Sequence, residues 1–142
     1  MTNIAIASDH GGLALKSYIV SYLQANDISC QDFGCFREES VDYPDFAKLV
    51  TEAVSQDLQC FGILICKSGI GMSIAANRNP KIRAALCFNP EMARLARLHN
   101  DANVIIFGAN YISEKEALEC VEMFLNTEFE GGRHQKRVDK LS

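Results

Sequence analysis

One segment of the chain concentrates residue types able to do chemistry: Cys66-Lys67-Ser68-Gly69-Ile70-Gly71-Met72-Ser73, directly behind the apolar run 61–65. The run reads as a buried strand, and the residues after the glycines read as a short helix. A parallel strand that feeds a helix through a glycine turn aims backbone N–H groups and the positive helix end at one point. That point attracts an anion, or a negative charge that develops during a reaction. Cys66 stands at its rim, where a thiol is activated as base or nucleophile. The competing reading is an ordinary turn with a buried, inert cysteine, because free cysteine is among the most buried residue types.

The turn does not fit the commoner phosphate loops. A Walker loop needs glycine four residues before Gly-Lys-Ser/Thr, and here Lys67-Ser68 follows Cys66. The dinucleotide fingerprint begins with Gly69 and Gly71 but has Ile74 where glycine or alanine belongs. A phosphatase-type cysteine loop would carry arginine where Met72 stands.

Other candidates are spread along the chain. Asp9-His10-Gly11-Gly12 closes the first apolar run and leaves a strand end open. His99-Asn100-Asp101 has two readings: a plain helix C-terminus, or an imidazole poised for acid–base work with neighbours that fix its tautomer. The tail from Glu130 to Lys140 gathers positive charge in an acidic protein, and Arg133 and Arg137 are spaced to share a helix face. Two guanidiniums on one face make a clamp for phosphate. Gly131-Gly132 is expected to act as a hinge that lets residues 130–142 pack on a partner subunit.

The elements that must position these groups follow from periodicity. Short apolar runs at 4–8, 28–33, 61–65, 83–88 and 103–107 alternate with amphipathic segments at 13–25, 44–58, 90–99 and 114–125. Pro44 and Pro90 suit first helical turns, and Ser113 with Glu116 forms a capping box. The expected fold is therefore α/β: a three-layer α/β/α, Rossmann-like sandwich around a five-stranded parallel sheet, in one domain over residues 1–142. Ligands bind such sheets at the carboxyl ends of the strands. Asp9, His10 and Cys66 fall there, whereas His99 precedes a strand and belongs to the opposite edge.

Net charge of −4 argues against a nucleic-acid or membrane surface role. The start shows no secretory pattern, and the apolar runs are too short to span a membrane. The six cysteines form neither C-x-x-C nor zinc-finger spacing, so reduced thiols in the cytoplasm are expected. No cluster of His, Asp and Glu has the spacing of metal ligands.

Taken in order, Asp9-His10-Gly11, Asp42-Tyr43-Pro44, the Cys66–Gly71 turn, His99-Asn100-Asp101 and Gly131-Gly132-Arg133-His134 resemble the type B ribose-5-phosphate isomerases, a family that includes the galactose-6-phosphate isomerase subunits. The resemblance covers nearly the whole chain. It implies interconversion of ribose 5-phosphate and ribulose 5-phosphate, a step of the pentose phosphate pathway, through an enediolate. It also implies a homodimer or homotetramer with shared sites, and no metal or organic cofactor.

By the same resemblance, Cys66 would be the proton-transfer base and Ser68 would supply a hydroxyl near the reacting carbons. His99 would help open the furanose, with Asp9 and Tyr43 beside the ring. The backbone amides of Gly69, Ile70, Gly71, Met72 and Ser73 would hold the enediolate oxygen, with Asn100 nearby. His10, Arg133 and Arg137 would bind the phosphate. Two positions depart from the family pattern: Lys67 replaces a usual glycine, and Asn110 falls where arginine is common. Cys66 sets the chain apart from the branch with a carboxylate base. The alternatives are an isomerase of a six-carbon sugar phosphate, such as allose or galactose 6-phosphate, and a non-catalytic sugar-phosphate-binding subunit.

Overall fold

The computed structural model describes residues 2–142, and its framework is a five-stranded, wholly parallel sheet. The strands are β1 (Asn3–Ser8), β2 (Ser29–Asp32), β3 (Cys60–Cys66), β4 (Ala84–Leu86) and β5 (Val104–Gly108), in the spatial order β2-β1-β3-β5-β4. The helices are α1 (Leu13–Ala25), α2 (Tyr43–Gln56), α3 (Ile70–Asn77), α4 (Pro90–Asn100), α5 (Glu114–Asn126) and a short α6 (Gln135–Asp139). A three-residue 3-10 turn, His10–Gly12, links β1 to α1, and another, Gly132–His134, precedes α6.

The alternation of side chains along the central strands builds two cores. Ile4, Ile6, Ile63, Ile65, Ile105 and Phe107 face α1, α4 and α5, where Leu15, Ile19, Ala93, Cys120 and Phe124 meet them. Ala5, Ala7, Leu64, Cys66, Val104 and Ile106 face α2 and α3, where Val50, Val54, Met72 and Ala76 complete the layer. The small alanines of β1 let α2 approach closely. The three-layer sandwich expected from the periodicity is the observed fold, with β4 shortened to three residues at the sheet edge.

Polar contacts tie the elements down. Lys16 is 1% exposed and places Nζ 2.7 Å from both oxygens of Asp32, fastening α1 to β2. Ser113 Oγ accepts the Glu116 N–H at 3.1 Å, which is the cap expected for α5. Arg97 is buried at the end of α4, donating to Asp101 Oδ1, to the carbonyls of Ala102 and Thr127, and lying over the Phe61 ring. Among the described residues no helix is long and apolar enough to cross a membrane.

Candidate active site

The chain reverses its winding direction between β1 and β3, and the carboxyl ends of these two strands form the crevice where parallel sheets bind ligands. Asp9 and His10 leave β1 on one side. Cys66 ends β3 on the other, level with Gly108 of β5. Asp9 is buried and accepts the N–H groups of Gly11 (2.9 Å) and Gly12 (3.1 Å), so it shapes the turn behind His10. His10 Nδ1 accepts the Val41 N–H at 3.2 Å, which leaves Nε2 to carry the proton and donate outward. The same bond draws the loop before α2 over the crevice and delivers Tyr43.

Cys66 is 5% exposed and its Sγ accepts the Gly69 N–H at 3.2 Å. Gly69 takes φ +79°, and a Cβ there would lie 2.4 Å from Leu86 Cδ1, so only glycine makes this turn without strain. Ser68 Oγ accepts the Ile70 N–H at 3.2 Å, and the Ser73 N–H closes on Gly69 O at 3.0 Å. The Gly71 and Met72 amides, in the first turn of α3, have no intrahelical acceptor and make no other backbone bond. They are the donors open to a negative oxygen. The Tyr43 ring covers Gly71 so closely that a Cβ there would sit 2.6 Å from its Cζ.

The five cysteines other than Cys66 are also free thiols, and several are held protonated. Burial pushes Cys87 and Cys120 up to about 12, helped at Cys87 by Cys120 and at Cys120 by Glu116 and Glu119. Burial and the Asp32 carboxylate push Cys30 up to about 11.

His99, Asn100, Arg133 and Arg137 lie elsewhere. His99 closes α4 before the chain enters β5 at Val104, which pairs with Gly62, whereas Cys66 pairs with Gly108. Four residues of strand, about 13 Å, separate these levels. The structure therefore gathers the site residues into two groups at opposite edges of one sheet. Asp101 turns to Arg83 and Arg97 rather than to His99, so it does not set the imidazole tautomer. Asn100 is exposed and lines a cavity of about 380 Å³ with Asn77, Arg83 and Leu141.

The tail differs from the freely hinged segment expected of Gly131-Gly132. Both glycines have positive φ, and they turn the chain back onto its own α4. The Glu130 N–H donates to Leu98 O at 3.0 Å, His134 stacks on His99, and Val138 is buried. Arg133 and Arg137 stay exposed. His134 had no role in the sequence reading beyond its place in a motif, because its partner is 35 positions away. One ligand atom each from His99, Glu130 and His134 falls within 4.8 Å of the others, a grouping able to hold a metal ion that local spacing did not show.

Known proteins share this fold. The family model for Ribose/Galactose Isomerase matches residues 4–141. The chain belongs to the ribose/galactose isomerase family. A putative sugar phosphate isomerase of Rickettsia bellii is 50% identical over 139 residues, covering 98% of this chain and 96% of that one. Among solved structures, a ribose 5-phosphate isomerase from Thermotoga maritima superposes with a TM-score of 0.97 at 49% identity, over 99% of this chain and 97% of that one. The ribose-5-phosphate isomerase B of Mycoplasma genitalium, solved with bound ribulose-5-phosphate, gives 0.95 at 42% identity, over 99% and 93%. Lys67 and Asn110 are the two positions expected to depart from the family pattern. These two are neighbours: the Asn110 N–H donates to the Lys67 carbonyl at 3.0 Å.

Proposed function

We propose that the protein interconverts ribose 5-phosphate and ribulose 5-phosphate, with Cys66 as the base. The observation that carries this is Cys66 Sγ at the end of β3, 3.2 Å from the Gly69 N–H and next to the open amides of Gly71 and Met72. In the open-chain aldose the thiolate takes the proton from C2. The C2–H electron pair forms the C1–C2 double bond, and the carbonyl electrons move to O1 as an enediolate charge. Helix-start amides stabilise such an oxyanion. Transfer of the O2 proton to O1 and return of the thiol's proton to C1 yield the ketose. Ser68 lies beside the reacting carbons, and Tyr43 and Asp9 border the sugar ring.

The second group supplies what the first lacks. His99 would shuttle a proton between the ring oxygen and the O1 hydroxyl to open the furanose, and Asn100 would approach the enediolate. Arg133 and Arg137 are exposed cations for the phosphate, opposite His10. Because one chain holds the two groups at opposite sheet edges, each complete site takes its second group from another copy. The protein is thus a cytoplasmic homodimer, or a tetramer of such dimers, with shared sites. The chemistry asks for no metal, since a thiol moves the proton and amides hold the charge.

A coupled assay of the purified protein on ribose 5-phosphate and allose 6-phosphate tests the reading. Turnover of the pentose phosphate that survives dialysis against a strong chelator supports it. Turnover of the hexose phosphate alone, or activity that returns only with a divalent metal, overturns it.

A further inference from the structure

The Cys66 group contains one cation that the reaction above does not use. Lys67 leaves β3 directly after the thiol, and its stem does not run straight into solvent. A Cβ at Gly11 would lie 2.3 Å from Lys67 Cγ and 2.9 Å from its Cε. The side chain is therefore laid along Gly11, across the turn that carries His10. Its backbone is clamped as well, with the Cys66 and Lys67 carbonyls accepting the Ala109 and Asn110 N–H groups at 2.9 and 3.0 Å.

Lys67 is exposed overall, and holding its stem along Gly11 costs up to about 2 kcal/mol of rotamer freedom, which a bound carboxylate or other anion would offset. Lys67 meets none: among the described residues it takes part in no ion pair. Asp9, close in the fold, turns Oδ1 to the Gly11 and Gly12 amides. Lys16 on α1 is bound to Asp32, and Arg133 and Arg137 belong to the other sheet edge. An ammonium with no ion-pair partner thus ends a stem that lies along Gly11, the residue next to His10, whose Nδ1 is occupied by the Val41 N–H.

We propose that Lys67 is a phosphate ligand of this enzyme, binding the substrate's phosphate together with His10 on the Cys66 side of the shared site. The inference rests on the isomerase reading for the identity of the phosphate's carrier. A phosphate monoester bears close to two negative charges at neutral pH and takes several cationic donors. Lysine serves as a point charge that needs no bidentate geometry, which suits a side chain approaching across a glycine surface. Gly11 is then required as the bed of the lysine stem.

Steady-state kinetics with ribose 5-phosphate, and competition by inorganic phosphate, test the assignment on Lys67→Ala and Lys67→Arg. Lys67→Ala should raise both KM and the phosphate inhibition constant about tenfold while kcat stays within about threefold, and Lys67→Arg should recover most of the loss. Unchanged KM and inhibition constant would overturn it. So would a fall in kcat with a displaced acid limb of the pH profile and normal phosphate inhibition, which would place the ammonium at the thiol. Calorimetry with inorganic phosphate makes the same comparison without turnover. An inactive protein whose phosphate binding still weakens in Lys67→Ala would sink the isomerase reading and keep the ligand.

Discussion

His134 stacks on His99 with ring centroids 4.3 Å apart and planes 17° from parallel. Through this contact the C-terminal tail is docked on the end of α4 that carries His99. Burial, then the charges of His99, Arg133 and Arg137, hold the His134 imidazole below its ordinary 6.5, with Glu130 opposing them. The unfolded tail keeps the ordinary value, so below about pH 6.5 it binds more protons than the docked tail. Docking stability therefore rises with pH through that window and is lost toward acid. Hydrogen exchange of the amides 132–139 should be faster at pH 5.5 than at 7.5 after correction for intrinsic rates, and His134→Gln should flatten the difference. Equal protection at both values would refute the linkage.

Cys66 should be the thiol on which activity depends. Cys66→Ala should lower kcat by at least a thousandfold while leaving the melting temperature and sugar-phosphate binding close to wild type. Cys87 and Cys120, pushed up to about 12, should resist iodoacetamide at pH 7.5 in the folded protein. A Cys66→Ala protein with near-normal turnover would assign the base elsewhere.

The sheet, its helices and the Cys66 turn were legible in the sequence because each is written locally. Alternating apolar runs specify strands, prolines and Ser113 mark helix starts, and Gly69 and Gly71 mark a turn no other residue makes. The buried Lys16 is not legible, because a lysine at an α1 position gives no sign that Asp32 waits across the fold. The contact of the tail with its own α4 is not legible for the same reason. Gly131-Gly132 announces a bend but not its direction, which is set by the stacking of the buried His134 ring on the half-buried His99. Lys67 stood out as an odd residue, yet only the packing along Gly11 shows where it goes.

The Lys16–Asp32 pair makes a stability prediction independent of catalysis. Asp32→Asn keeps an acceptor for the Gly34 N–H but leaves the buried ammonium without its charge partner. Breaking a buried pair costs about 3–5 kcal/mol, and partial exposure of Asp32 puts this case at the lower end. The melting temperature should fall by roughly 10 °C, read by calorimetry. A change within 2 °C (about the scatter of such a measurement) would show that water reaches Lys16.

Gly71→Ala tests the placement of Tyr43. The added methyl would meet the phenol ring at 2.6 Å, and the ring, 38% exposed, can swing away toward solvent. Stability should change by less than about 1 kcal/mol, whereas kcat/KM should drop about tenfold as the ring leaves the sugar. Adding Tyr43→Ala should then cause little further loss. Additive losses would mean that the two residues act separately.

The shared site is tested by mixing variants. Arg137→Ala should raise KM about tenfold, because a charge-assisted bond to phosphate contributes roughly 1.5–3 kcal/mol to both ground and transition states. Cys66→Ala is silent in every site of its own homodimer. If the Cys66 group of one copy faces the Arg137 group of the other, a mixed dimer has one site with both defects and one with neither. Mixed Arg137→Ala and Cys66→Ala chains should then regain wild-type KM at up to half the activity per mixed dimer. Subunit exchange demonstrated by mass spectrometry without recovery of KM would place Arg137 in its own chain's site. The two sheet edges would then belong to separate functions.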